Sequence, residues 1–218
     1  MPSYKLVYFN FMGLGEPIRM LFQIAGVPFE DVRVPGPYGD EKEEWEKLKP
    51  NIGLGTLPVL EVDGKELPQK AAILRYLARE HGFMPKSSWD IAQVDVVIET
   101  VSEFLPLMTK LFREEDPEKK KTLIKMFVEE DSQPQLNNLE KLLKKNNGGT
   151  GWFFGDTITL ADVVVFNTLH DSIPPVIGTA PGDISFLKNH NLLGAFIDRF
   201  KAESKVSEWL DKRPKTPF

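Results

Sequence analysis

Tyr4-Lys5-Leu6-Val7-Tyr8-Phe9-Asn10, followed by Gly15-Glu16-Pro17-Ile18-Arg19, is the stretch on which the reading of this chain turns. Its first part alternates around a β-rich composition, so it predicts a strand with Leu6 and Tyr8 on one face and Lys5, Val7 and Phe9 on the other. Its second part has proline at a first helical position, then Ile18, Leu21, Phe22 and Ala25 at helical spacing, with Gly26 as a stop. Phe29 to Val34 predicts a second strand, and a β-α-β start implies that the two strands run parallel. A tyrosine hydroxyl therefore stands at the end of the first strand, next to a helix N-terminus. The chain contains no cysteine, so chemistry that needs a thiol must borrow its sulfur from a ligand, and a tyrosine serves such a ligand by donating a hydrogen bond to its thiolate.

Downstream, Asp40 with Glu43 predicts a capped short helix carrying Trp45 and Leu48. A loop through Thr56 leads into Leu57-Pro58-Val59-Leu60-Glu61-Val62, where Pro58 must begin the strand because it has no amide hydrogen for a ladder. Asp63-Gly64 supplies a hairpin turn, Lys65-Glu66-Leu67 returns, and Ala71 to Glu80 predicts a closing helix. Residues 1–80 thus form a β-α-β-α-β-β-α domain. Residues 81–90 read as a linker, and residues 91–218 as an all-helical domain with periodic segments near 90–112, 117–145, 160–171 and 183–211. Asp116-Pro117-Glu118 marks a helix start, Pro134 is expected to kink or divide the second segment, and Thr159-Leu160-Ala161-Asp162 is a capping box. The fold class is α/β plus all-α.

The bulk composition narrows the function. Of the 218 residues 41% are apolar, ample material for a core, and the net charge of −5 is spread along the chain: ten basic and twelve acidic residues lie at or before Glu80. No part carries the basic excess that phosphate neutralisation requires, so nucleic acid is not an expected partner. No apolar run approaches the roughly 20 residues of a membrane span, and the N-terminus shows no secretory signal, so no membrane partner and a cytoplasmic location are expected. Without cysteine there is no disulfide, thiolate zinc site or cysteine nucleophile. His81, His170 and His190 lack ligand spacing, so no metal site is expected.

A β-α-β-α-β-β-α unit with a Leu-Pro pair before its third strand, joined to a helical half holding a Thr-Leu-Ala-Asp box, resembles the cytosolic glutathione transferases over essentially the whole chain. The opening Tyr-Phe-Asn, the run Leu57 to Gly64, Ala72-Ile73-Leu74-Arg75-Tyr76-Leu77 and the terminal Arg213-Pro214-Lys215-Thr216-Pro217-Phe218 look most like the sigma class, which includes nematode detoxification enzymes, prostaglandin D synthases and lens S-crystallins. The resemblance implies a thioredoxin-like N-terminal domain that binds glutathione as cosubstrate and a helical domain that supplies most of a pocket for small apolar electrophiles. It also implies a homodimer.

Carried over residue by residue, the resemblance makes Tyr8 the catalytic group, donating its phenol to the glutathione sulfur. Trp45 and Lys49 would contact the glycine end, the backbone of Leu57 would pair with the cysteinyl part beside a cis Pro58, and Gln69 and Lys70 would receive the γ-glutamyl carboxylate. Glu103 would reach across the dimer toward the glutamyl amine, and Phe9, Met12, Leu14, Phe104, Met108 and Phe112 would line the electrophile pocket. Taken alone, a strand tyrosine, a Trp-Lys pair four apart or apolar residues at helical spacing are more often ordinary packing. Three positions depart from the family pattern: Lys70 replaces a serine, Leu14 an arginine and Thr56 a lysine. Two functions follow: a transferase acting on small electrophiles, lipid peroxides or prostaglandin precursors, or a catalytically weak carrier of apolar ligands or structural, S-crystallin-like protein.

Overall fold

Alternation over Tyr4–Phe9 becomes strand β1, with Tyr4, Leu6 and Tyr8 buried. The structure, a computed structural model, describes residues 2–216, so Pro217 and Phe218 of the terminal motif lie outside the described residues. A 3-10 turn at Gly13–Gly15 delivers the chain to helix α1, Glu16–Ala25. Pro17 sits in the first turn, where a missing N–H costs no hydrogen bond, and Gly26 closes the helix at φ 67°, a left-handed conformation that a Cβ disfavours.

Strand β2, Glu30–Val34, pairs parallel with β1, as the β-α-β reading requires. Strand β3, Val59–Val62, pairs antiparallel with β1, and β4, Lys65–Pro68, pairs antiparallel with β3, giving the order β2-β1-β3-β4. Helix α2, Lys42–Leu48, starts differently from the expectation. No side chain caps it; a 3-10 turn at Gly39–Glu41 precedes it, and the Glu41 carboxylate accepts from the Gly36 N–H at 2.6 Å, while Asp40 and Glu43 make no cap. Helix α3, Lys70–Glu80, packs beside α1.

The remaining helices are α4, Ser88–Ser102; α5, Phe104–Arg113; α6, Pro117–Met126; α7, Gln133–Lys145; α8, Leu160–Phe166; α9, Ile173–Val176; α10, Asn191–Ala202; and α11, Ser204–Lys212. The linker is shorter than its sequence suggests, because the Ser87 hydroxyl accepts from the Asp90 N–H at 3.1 Å and starts α4 at Ser88. Asp116 caps α6 as expected, accepting from the N–H groups of Glu118 and Lys119. The segment expected to be kinked or divided at Pro134 is divided there: a π-helical turn at Phe127–Asp131 separates α6 from α7, and Pro134 falls in the first turn of α7, where its missing N–H is harmless. The Thr159–Asp162 capping box is formed.

Contacts divide the described chain into two units: the chain through Gly82 together with Lys205–Thr216, and Phe83–Ser204. Helix α11 therefore falls with the first unit and not with the helical run that precedes it. Its Lys205 and Trp209, and Arg213 just beyond, bond to α1. Among the described residues no helix is long and apolar enough to cross a membrane.

Candidate functional site

The strand register gathers several predicted residues at one end of the sheet. Val7 of β1 faces Val59 of β3, and Val59 faces Pro68 of β4. Continuing each strand one or two residues brings Tyr8 and Phe9, the Leu57–Pro58 pair, and Gln69 with Lys70 to that same end. The Leu57–Pro58 peptide is cis. Tyr8, Phe9 and Trp45 form one buried cluster, with Phe11, Val34, Ile52 and Leu57 packed against it.

Tyr8 is only 3% exposed. The Leu14 backbone N–H donates to its Oη at 2.9 Å. That donor occupies a lone pair of the phenol oxygen, so the phenolic hydrogen must point elsewhere and is available to a ligand. Burial pushes the Tyr8 phenol up to about 12, against the lowering pull of the Leu14 N–H and then of the Arg19 guanidinium. The group is therefore neutral near pH 7, a donor to an anion and not a base.

Glycine lets the loop come this close. A Cβ on Gly15 would lie 2.5 Å from Tyr8 Cδ1 and 2.8 Å from Cγ, and one on Gly13, where φ is +38°, would lie 2.6 Å from the hydroxyl oxygen. Gly15 has ordinary helical dihedrals, φ −80° and ψ −26°. Replacing glycine by alanine at such a position ordinarily stabilises by about 0.4–1 kcal/mol. Here overpacking against the ring reverses the sign, and Gly15→Ala is expected to cost about 1–3 kcal/mol in denaturant unfolding. A stabilised Gly15→Ala protein would show that the loop yields instead of the ring.

Beneath the ring lies Arg19, which is wholly buried. Its Cζ is 5.7 Å from the Tyr8 ring centroid, and its nitrogens donate to Asp31 Oδ1 at 3.0 Å, to Phe11 O at 3.0 Å and to Phe9 O at 3.4 Å. The guanidinium thus holds the backbone on the C-terminal side of Tyr8 and adds positive potential below it. Sequence reasoning missed both Arg19 and the Leu14 amide. The available signals were an arginine beside Ile18 on the apolar face of a helix, three residues after Glu16, and two glycines flanking Leu14.

The other predicted residues vary in placement. Trp45 is 5% exposed and packs edge-on against Phe9, with centroids 4.8 Å apart, so most of the indole is core; no hydrogen bond within the described residues engages its N–H. Lys49, at the end of α2, is exposed and 3.9 Å from Glu46, its stem lying beside Gly55. Gln69 precedes α3 at φ 77° without capping it by a side-chain bond. Lys70 opens α3 with a half-buried side chain, and burial pushes its ammonium below the usual lysine range. No acidic partner accompanies it among the described residues.

Of the expected pocket residues in the first unit, Phe9 and Met12 are buried and Leu14 is 42% exposed. In the second unit Phe104, Met108 and Phe112 share one face of α5. Phe104 is wholly buried and serves the core of its unit, Met108 is half-buried and Phe112 is exposed. Glu103 is exposed at the junction of α4 and α5. No cluster of three or more potential metal ligands occurs among the described residues.

The family described as glutathione S-transferase, N-terminal domain, matches residues 4–79, and glutathione S-transferase, C-terminal domain, matches residues 103–213. Over the full length of both chains the sequence is 37% identical to glutathione S-transferase 1 of Ascaris suum and 36% identical to S-crystallin SL11 of Nototodarus sloanii. The solved structure of prostaglandin synthase D of Nilaparvata lugens is 32% identical and matches with a TM-score of 0.82, covering 99% of this chain and 100% of that one.

Proposed function

Because this chain belongs to the glutathione S-transferase family, we propose that Tyr8 donates its phenolic hydrogen to the sulfur of bound glutathione and holds it as a thiolate for attack on small apolar electrophiles. Glutathione is the cosubstrate, and its domain is the first unit. An ordinary thiol with a pKa near 8.5 is only about 3% ionised at pH 7. One hydrogen bond to a charged acceptor contributes roughly 1.5–3 kcal/mol, or about one to two pKa units. A single protonated phenol therefore raises the reactive fraction severalfold to tens of fold, while the thiol proton leaves to solvent. The observation that carries this reading is the Tyr8 hydroxyl, kept protonated by burial and already bonded on its acceptor side by Leu14.

Around that sulfur, Lys49 and the Trp45 indole N–H take the glycine carboxylate, the Leu57 backbone pairs with the cysteinyl residue, and Gln69 with Lys70 takes the γ-glutamyl end. Lys70 replaces the short hydroxyl donor with a charge that lacks an acidic partner and is partly desolvated. An arriving carboxylate relieves that cost. Lys70→Ser is therefore expected to raise the glutathione dissociation constant about tenfold, as an ammonium–carboxylate contact of roughly 1.5–3 kcal/mol is lost. Isothermal titration calorimetry measures it, and tighter binding in the variant would mean that the lysine had disabled the subsite. Phe9, Met12 and Leu14 of the first unit complete the proposal as contacts of the electrophile, as do a homodimer of the 24.8 kDa chain, in which Glu103 reaches toward the glutamyl amine at the other protomer, and a cytosolic location.

A structural, S-crystallin-like role is the second reading, favoured by the Lys70 substitution and by the 36% identity to S-crystallin SL11. Conjugation of a reactive aryl halide separates the two. The transferase reading requires turnover, whereas no turnover together with glutathione binding weaker than about 1 mM assigns the structural role.

A further inference from the structure

Glu16, the first residue of α1, is 1% exposed, yet its carboxylate is fully engaged. Oε1 accepts from the Trp209 indole N–H at 2.8 Å and from the Arg213 guanidinium at 2.9 Å, and Oε2 faces Arg19 at 3.4 Å. The Glu16 backbone N–H donates to Met12 O at 2.9 Å, closing the turn that presents the Leu14 N–H to Tyr8. A buried carboxylate must be matched by donors, and two of its three partners come from α11 and the residue after it. One side chain thus ties the C-terminal helix to the turn that holds the phenol.

We propose that Glu16, clamped by Trp209 and Arg213, is a positioning residue for Tyr8: the C-terminal helix sets how firmly the Met12–Glu16 turn holds the Tyr8 hydroxyl, and thereby the acidity of the bound thiol. This rests on the reading of Tyr8 as the thiolate's donor, but its mechanical half concerns the protein alone. The Glu16 carboxylate fixes α1 at its N-terminus, and Arg19, one turn on, carries the same constraint to Phe9 O and Phe11 O. Loss of either donor leaves the buried carboxylate under-satisfied and frees the turn. Tyr8 itself then keeps its place in the strand but loses the fixed direction of its hydroxyl.

The test uses the full chain with Trp209→Phe, Arg213→Met, Arg213→Lys and Glu16→Gln. Hydrogen exchange without ligand should show the amides of Leu14 and Glu16 exchanging at least tenfold faster in Trp209→Phe and Arg213→Met, largely restored in Arg213→Lys, with α3 unaffected. Titration of the bound glutathione thiolate should show its apparent pKa raised in the same two variants, with kcat lowered threefold or more and glutathione KM within twofold. In an Arg213→Met background, Trp209→Phe should add less than it does alone, since both donors act through Glu16 Oε1, and Glu16→Gln, which keeps an acceptor oxygen there, should accelerate exchange less than Arg213→Met. Should Glu16→Gln fail to fold, the variants at 209 and 213 decide alone. Unchanged exchange over residues 12–16, or equal acceleration throughout the first unit, overturns the proposal. Absence of any thiolate in the unaltered protein would instead overturn the role of Tyr8, and the exchange arm would still decide the clamp.

Discussion

Tyr8→Phe is expected to lower kcat/KM for glutathione conjugation by roughly ten- to hundredfold, the equivalent of the 1.5–3 kcal/mol that one hydrogen bond to a charged acceptor provides. The loss is expected in kcat and in thiolate formation at neutral pH, not in glutathione affinity, because the contacts proposed for Lys49, the Leu57 backbone and Lys70 are untouched. Folding should survive, since the ring keeps its contacts with Phe9 and Phe11 and loses only the Leu14 N–H bond. That amide then needs another acceptor, so a cost of about 1–3 kcal/mol is expected in denaturant unfolding. The rate should recover in the variant as pH rises toward the thiol's own pKa, near 8.5, because solvent then supplies the ionisation that Tyr8 had stabilised. A Phe variant as active as the parent at pH 6.5 would remove Tyr8 from the chemistry.

Asp162→Ala is expected to destabilise the second unit by about 3–5 kcal/mol, enough to prevent folding at modest temperature. The Asp162 carboxylate accepts from the Phe153 N–H at 2.8 Å, the Thr159 N–H at 2.7 Å and the Thr159 hydroxyl at 2.8 Å, all buried. Alanine leaves these three donors without a partner where water cannot reach. Asp162→Asn should cost less, about 1–3 kcal/mol, because its oxygen still serves Thr159 and only the Phe153 N–H faces a second donor. Thermal or denaturant unfolding ranks the two, and equal effects would show that the capping geometry, not donor satisfaction, holds this helix.

Burial pushes the Asp162 carboxyl up from 3.8 to about 6 in spite of those bonds. Between these values the folded chain binds more protons than the unfolded one, so the stability due to this group falls as pH rises from about 4 to 6 and is level above. The span is on the order of 3 kcal/mol. In Asp162→Asn that slope should vanish, which a series of unfolding curves across the window would show.

Elements written in local sequence were legible. Pro17 and Gly26 frame α1, Asp63-Gly64 makes its hairpin turn, and Thr159 with Asp162 forms its box, each within a few residues. Asp40 with Glu43 carried the same spacing and failed: with Gly39 at φ 61°, the chain enters α2 through a 3-10 turn in which Asp40 is itself a member, and the Lys42 N–H donates to Gly39 O instead of to a side chain. Pro134 marked the division between α6 and α7, and the structure adds that a π-helical turn at Phe127–Asp131 fills the break ahead of it. Periodicity identified Phe104, Met108 and Phe112 as one face but could not tell that Phe104 is spent on the core.

By itself the sequence determined the order of strands and helices, the tyrosine at the end of the first strand, and the absence of any thiol that forces sulfur to come from outside. The tertiary structure alone decided what that hydroxyl meets: the Leu14 amide, the bare face of Gly15, the Arg19 charge below, and the carboxylate of Glu16 gripped from the far end of the chain. Trp209 and Arg213 lie 193 and 197 residues from Glu16. Helical and strand periods relate only near neighbours, so a hydrogen bond across that distance exists only once packing has brought α11 against α1.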